Sequence, residues 1–391
     1  MLKLNELSHQ EFLKNYWQKK PLLIKQGISN FSNPIEPDKL AGLSLENEFE
    51  SRLVIGHVAD KKNWQLKTGP FTSDFFSQLP EENWTLLVNG VDRLIPEVNE
   101  ILNQFNFLPQ WRVDDVMISY AAKGGSVGPH FDVYDVFLLQ GKGQRKWTLT
   151  SKNCNEDNYQ KNMPLRLMKV FEVEEEFILN EGDILYIPPY VGHHGVALTE
   201  DCMTYSIGYR GYSDRELLES FGDFTAENEI NSYYKDPDWS ELKGTGEVTQ
   251  ASIEQARKSL KKLIDKPELF KCWFGNFVTE MDQQAESLFL PLEADAILSH
   301  KSFRGELELD DSIERNPLCR FAYIENNNFD FMLFINGKLQ EIEDINQDLI
   351  KYICNHRLLN NTIILELILS LKDSWFLHRL YKENFIVLKE N

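Results

Sequence analysis

The sequence predicts an α+β protein with an antiparallel β-barrel over residues 112–210, helices from residue 213, and a smaller α+β unit over 286–391. Three observations carry this. Between 112 and 210, short apolar runs alternate with Gly, Pro and Asn punctuation, as a closed antiparallel sheet requires. After Gly211 the apolar residues shift to helical spacing. Beyond 286, short strand-like runs and helical runs follow one another.

Taken in order, residues 8–19 read as a helix, with Ser8 and Glu11 spaced as a capping box. Pro21-Leu-Leu-Ile-Lys reads as extended, 31–48 as loop with a short helix near Asp38, and 52–58 as a strand. A further strand is expected over 83–91 and a helix from about Pro96 to Phe105. The barrel follows, ending on a late strand at Thr204–Arg210. Ser213 is placed to cap a helix, 235–248 is polar loop, and 250–265 and 267–283 read as two helices. In the last unit, Ser302–Leu309 and Phe321–Gly337 suggest strands, the latter turning at Asn336-Gly337. Leu349–His356 and Thr362–Ser370 suggest helices.

The chemistry concentrates in RVDDVMISYAAKGGSVGPHFDVYDVFLLQGKGQRKW, residues 112–147. His130 and Asp132 lie two apart after a Gly-Pro turn, so on a strand their side chains share a face. A third ligand would complete a two-His-one-carboxylate set, which suits iron(II) and leaves positions open for substrate and oxygen. It is supplied by EGDILYIPPYVGHHG, residues 181–195, where Pro188-Pro189 ends a strand and a His-His pair precedes Gly195. Neighbours on an extended segment face opposite ways, so only one of His193 and His194 aims inward; His193 is chosen. The same parity puts Asp115, Met117, Ser119 and Ala121 on one face, Tyr134 with His130 and Asp132, and Arg145 with Trp147. An iron oxygenase using 2-oxoglutarate needs a cation for its distal carboxylate. Arg145 offers a planar fork for it, with Lys142 and Lys146 as solvated alternatives.

WRVDDVMIS, GGSVGPHFDVYDVFLLQGKGQRKW and GDILYIPP…HHG, with FLKNYWQKKPLLIKQ near the N-terminus, resemble the bacterial ribosomal oxygenases of the JmjC/cupin class, most strongly over residues 11–212. The resemblance implies a double-stranded β-helix (jelly-roll) catalytic domain at 1–212, a helical dimerisation region at 213–285 and a winged-helix-like domain at 286–391. It implies an Fe(II)- and 2-oxoglutarate-dependent protein hydroxylase using O2, acting on the β-carbon of an arginine of large-subunit ribosomal protein sixteen. The iron ligands fall on His130, Asp132 and His193, and the 2-oxoglutarate contacts on Arg145 and Ser119. The groups holding the substrate guanidinium fall on Asp115 and Tyr134. His194 stands where the family has an acidic residue, and the register to Gly195 favours His193 as the ligand.

Composition bounds the alternatives. The chain of 391 residues is 42% hydrophobic and 12% aromatic, which is globular and long enough for two or three domains. No run of eighteen apolar residues exists and the N-terminus lacks a signal-peptide core, so a cytoplasmic protein with no membrane contact is expected. The cysteines Cys154, Cys202, Cys272, Cys319 and Cys354 show no CxxC spacing, which fits reduced thiols and gives no zinc signal. A net charge of −20 repels phosphate backbones and favours basic partners such as a ribosomal protein. Residues 281–391 hold 11 Lys and Arg against 19 Asp and Glu, so a winged helix there lacks the basic footprint of a DNA reader. His57, His300, His356 and His378 have no ligand spacing and read as structural. Two other functions fit the same barrel: removal of N-methyl groups, and a non-catalytic docking cupin.

Overall fold

The structure is a computed structural model describing residues 2–57, 63–230, 233–240, 242–309, 313–325 and 331–388. The chain divides into two compact units, Met1–Gly211 and Tyr212–Asn391.

In the first unit, α1 (His9–Asn15) opens on the expected capping box, with Ser8 Oγ accepting from the Glu11 N–H and the Glu11 carboxylate accepting from the Ser8 N–H. It buries Phe12 edge-on against Tyr186, 5.0 Å between ring centres. Next come β1 (Leu22–Ile24), α2 (Pro37–Leu43), β2 (Ser51–Ile55), β3 (Gln65–Thr68), α3 (Ser73–Phe76), β4 (Trp84–Val88) and α4 (Pro96–Leu102). The strand expected over 52–58 runs instead over Ser51–Ile55, and Gly56 lies against the Trp64 indole, where a side chain would clash; Val58 lies outside the described residues. The mostly exposed β3 has too little alternation to be read from sequence.

The barrel strands are β5 (Val113–Ala121), β6 (His130–Phe131), β7 (Val136–Lys142), β8 (Arg145–Thr150), β9 (Glu175–Leu179), β10 (Ile184–Ile187), β11 (Gly192–Ala197) and β12 (Cys202–Tyr209). They form an eight-stranded sheet, β1-β10-β7-β12-β5-β4-β2-β3, and a four-stranded sheet, β6-β11-β8-β9, with antiparallel pairing throughout. β7 explains the continuous run VFLL. Phe137 and Leu139 join the core under the helices, while Val136 and Leu138 pack with Trp147, Leu149 and Leu185 in a second cluster. A strand buried on both faces has no polar alternation to show.

In the second unit, α5 (Asp214–Glu227) starts on the Ser213 cap, completed by Glu216. α6 (Gln250–Ile264) and α7 (Pro267–Thr279) follow, and α7 ends four residues earlier than expected, with α8 (Gln283–Leu288) starting afresh on an Asp282 cap. The strand expected at Ser302–Leu309 is instead α9 (His300–Glu306), capped by Ser299. Its real signal is Phe303 and Leu307, four apart and both buried, whereas Glu308 and Leu309 beyond them are exposed.

β13 (Ile313–Arg315), β14 (Phe321–Glu325), β15 (Phe331–Ile335) and β16 (Lys338–Leu339) come next. The β15–β16 turn has positive φ at Asn336 and Gly337, as the Asn-Gly pair predicts. α10 (Gln347–Asn355), β17 (Leu358–Leu359), α11 (Asn361–Leu367), α12 (Leu371–Lys382) and β18 (Ile386–Leu388) complete the chain. Ser370, expected inside a helix, is the N-cap of α12. Strands β17, β13 and β18 form a three-stranded sheet, each too short for periodicity to reveal.

Candidate metal and cosubstrate site

The site lies between the two sheets of the first unit, in a cavity of about 610 Å³. Its centre follows from register. β11 pairs antiparallel with β6 so that His193 lies directly opposite His130. Residues facing each other across a strand pair send their side chains to the same side, and the two rings sit 4.3 Å apart. Asp132 Oδ2 lies 4.0 Å from His130 Nε2 and 3.5 Å from His193 Nε2. One ligand atom from each of the three residues falls within 4.8 Å of the others.

The outer nitrogens fix the tautomers. His130 Nδ1 lies 2.9 Å from the Gly128 carbonyl and His193 Nδ1 3.0 Å from the Val191 carbonyl. A carbonyl only accepts, so each Nδ1 carries the proton and each Nε2 presents its lone pair to the shared centre. Burial, then the neighbouring His130, holds the His193 pKa down to about 4, so the imidazole is neutral near pH 7, the form that binds metal. His194 points the other way. It does not line the cavity, and its ring packs edge-on near Phe171.

Beside this centre, Arg145 is 5% exposed, and its Nε and Nη2 are buried with no hydrogen-bond partner. A buried cation lacking a counter-charge is costly, which marks the place as fitted to an anion. Ser119 is buried on the facing sheet; its hydroxyl reaches only the Thr204 carbonyl at 3.5 Å, a bond at the limit of usefulness. Lys142 and Lys146 pair with Glu36, Asp201 and Glu176 and do not line the cavity. A metal-chelating dicarboxylate therefore fits the donor set: three ligands with lone pairs converging, and a guanidinium and a hydroxyl with spare donors beside them.

The cavity continues to Asp115 and Tyr134. Burial first, then Asp92 and Asp114, push the Asp115 carboxyl up to about 7, opposed by Arg93 and by the Gly90 N–H, which donates to it at 2.8 Å. Desolvation and Asp132 raise the Tyr134 phenol, which stays protonated and able to donate. All seven residues singled out from the sequence thus line one cavity. Arg52, Asn89, Tyr159 and Arg166 line it too, and they belong to no motif. Arg52 was open to parity reasoning, since it alternates with Val54 on β2, which also lines the cavity.

The two-sheet barrel and its His-Asp-His centre define a JmjC-type protein. Residues 100–217 match the JmjC domain model, and residues 262–383 match the ROXA-like winged helix. The chain is 41% identical over 275 residues to the Escherichia coli ribosomal protein uL16 3-hydroxylase, covering 70% of this chain and 72% of that protein. It is 33% identical over 350 residues to a probable ribosomal oxygenase of Haemophilus influenzae, covering 87% and 84%. The solved structure of YcfD, a ribosomal oxygenase from Escherichia coli, in complex with cobalt and 2-oxoglutarate superposes with a TM-score of 0.81, at 31% identity and full coverage of both chains. This chain belongs to the ribosomal oxygenase family.

Proposed function

We propose that the protein is an Fe(II)- and 2-oxoglutarate-dependent hydroxylase that oxidises the β-carbon of an arginine in ribosomal protein uL16. The observation that carries this is the convergence of His130, Asp132 and His193 beside Arg145, whose buried Nε and Nη2 have no hydrogen-bond partner. The likeness to the uL16 3-hydroxylase supports the substrate.

When bound, iron and 2-oxoglutarate supply the oxidising chemistry, converting 2-oxoglutarate and O2 to succinate and CO2 as one oxygen atom enters the substrate C–H bond. The chain's own residues hold and orient. His130, Asp132 and His193 would hold the metal, and a three-ligand set of this kind would leave positions for cosubstrate and oxygen. Arg145 pairs with the distal carboxylate of 2-oxoglutarate, and Ser119 donates to it. Asp115 accepts from the substrate guanidinium while Tyr134 closes over it. This fixes which carbon faces the centre and makes positioning the protein's main contribution.

The substrate is a basic ribosomal protein met in the cytoplasm, and the net charge of −20 favours the encounter. No helix among the described residues is long and apolar enough to cross a membrane. The 213–285 region serves as a homodimer contact, ahead of the winged-helix-like domain at 286–391. α6 buries none of its residues, and Leu218, Ile253, Leu260 and Ile264 are exposed along α5 and α6.

The test is intact-mass analysis of uL16 after incubation with the enzyme, iron(II), ascorbate and 2-oxoglutarate. The expected result is a gain of one oxygen atom on an arginine. An unmodified uL16, or loss of a methyl group from a methylated protein instead, overturns the proposal.

A further inference from the structure

Trp147 is a further group in the cavity that the mechanism leaves unused. It is 4% exposed, lines the cavity, and its Nε1–H is buried without a hydrogen-bond partner. The ring is held from three sides. Arg145, two residues earlier on β8 and on the same face, has its Cζ 5.6 Å from the ring centre. The His193 ring centre lies 5.9 Å away. Gly195 faces Trp147 directly across the β8–β11 pair, and a Cβ there would come within 2.6 Å of the indole. Gly195 is therefore glycine because the indole occupies its side-chain space, and the ring has nowhere else to go.

A buried indole N–H usually finds an acceptor, because leaving it unmade forfeits its hydration. Here the ring neighbours both the group that marks the metal centre and the guanidinium that marks the anion end. An acceptor that reaches both groups comes near Trp147.

We propose that the Trp147 Nε1–H donates a hydrogen bond to a carboxylate oxygen of 2-oxoglutarate, making Trp147 a third binding residue for the cosubstrate beside Arg145 and Ser119. This rests on reading the cavity as a 2-oxoglutarate site. The packing of Trp147 against Gly195 fixes the indole in the cavity wall, so the position of its N–H is set by the β8–β11 pair.

The test uses the full-length chain loaded with zinc(II), which is diamagnetic and redox-inert, so that no turnover is involved. With 15N-labelled tryptophan, one of the eight indole N–H resonances disappears in Trp147→Phe, which assigns it. In the wild type that resonance is expected to move downfield when 2-oxoglutarate is added. Trp147→Phe keeps an aromatic ring at this position and removes the donor, together with the outer edge of the indole that packs on Gly195. It is expected to raise the calorimetric Kd for 2-oxoglutarate about tenfold while leaving the Kd for zinc(II) unchanged. If none of the eight indole N–H resonances of the wild type moves on adding 2-oxoglutarate, the inference is overturned even if the variant fails to fold, and so it is by an unchanged Kd in a folded variant. If the wild type binds no 2-oxoglutarate with metal present, the cosubstrate reading of the cavity falls with it. If it binds and the indole is silent, only the role of Trp147 falls.

Discussion

Histidines are used oppositely in the two units. In the first, His130 and His193 tie their Nδ1 atoms to backbone carbonyls and leave both Nε2 lone pairs aimed at one carboxylate. In the second, His300 and His378 also lie close, with ring centres 5.3 Å apart. Yet His300 Nε2 bonds to Ser374 Oγ, and His378 Nε2 bonds to the Leu298 carbonyl. Proximity of two imidazoles is thus common to a site and to a packed core. The difference is spare bonding capacity that converges: among the described residues, only His130, Asp132 and His193 form a ligand cluster.

The largest expected effect breaks that convergence. His130→Ala removes one of three ligands, and both metal retention and 2-oxoglutarate turnover should fall below detection, because a facial site with two ligands lacks affinity. The paired control is His300→Ala in the other unit, which should keep wild-type iron content by colorimetric assay. If His130→Ala retains iron and turns over 2-oxoglutarate at the wild-type rate, the contrast between the two histidine pairs has no chemical meaning.

A smaller effect comes from pH. Asp115 is pushed up to about 7 by burial and by Asp92 and Asp114. Only the carboxylate pairs with a cationic guanidinium, so kcat/KM for a uL16 peptide should drop about tenfold between pH 8 and pH 6 as the ionised fraction falls. Stability has the opposite sign. A folded-state pKa above the unfolded value means the folded protein resists ionisation. Asp115 therefore begins to destabilise the fold as pH rises past about 4, and the cost is complete above about 7. Asp115→Asn should raise Tm by a few degrees, about 2 to 4, at pH 8 and not at pH 4, while slowing peptide hydroxylation. A variant with an unchanged pH profile and an unchanged Tm at pH 8 removes Asp115 from the substrate site. Gaining stability by losing activity is the pattern expected of a group held where the substrate needs it.

How much of this was legible in sequence depends on the range of the signal. His130, Asp132 and Arg145 were readable because two-residue periodicity is local and survives without knowing the partner strand; it put Asp115 and Ser119 on one face, and only the resemblance to the ribosomal oxygenases singled them out there. Parity allows only one of His193 and His194 to aim inward, and the register to Gly195 within the resemblance to the ribosomal oxygenases favours His193. The Gly128 and Val191 carbonyls that set the imidazole tautomers were not readable, since every residue has a carbonyl. Arg166 reaches the cavity only through tertiary placement, and Arg52 shares a strand face with Val54 without any motif to mark that face as lining a site. In the second unit, α9 was misread because Glu306–Leu309 alternates like a strand, while the Ser299 cap and the buried Phe303–Leu307 pair decide for helix. β17, β13 and β18 are two or three residues each, shorter than any periodicity can register.

The smallest effect tests the packed pair. His378 is 6% exposed, donates from Nε2 to the Leu298 carbonyl at 2.9 Å, and packs among the rings of Phe303, Trp375 and Tyr381. The carbonyl accepts, so the proton must sit on Nε2, and the bond joins α12 to the segment before α9. His378→Phe keeps most of the ring volume and removes this donor, leaving a carbonyl without that partner. The expected loss is about 1 kcal/mol by urea denaturation, with iron content and kcat/KM for the uL16 peptide unchanged when measured well below Tm. A loss of bound iron in this variant would mean that the second unit's histidines do more than hold their fold together, and the distinction drawn from spare lone pairs would have to be abandoned.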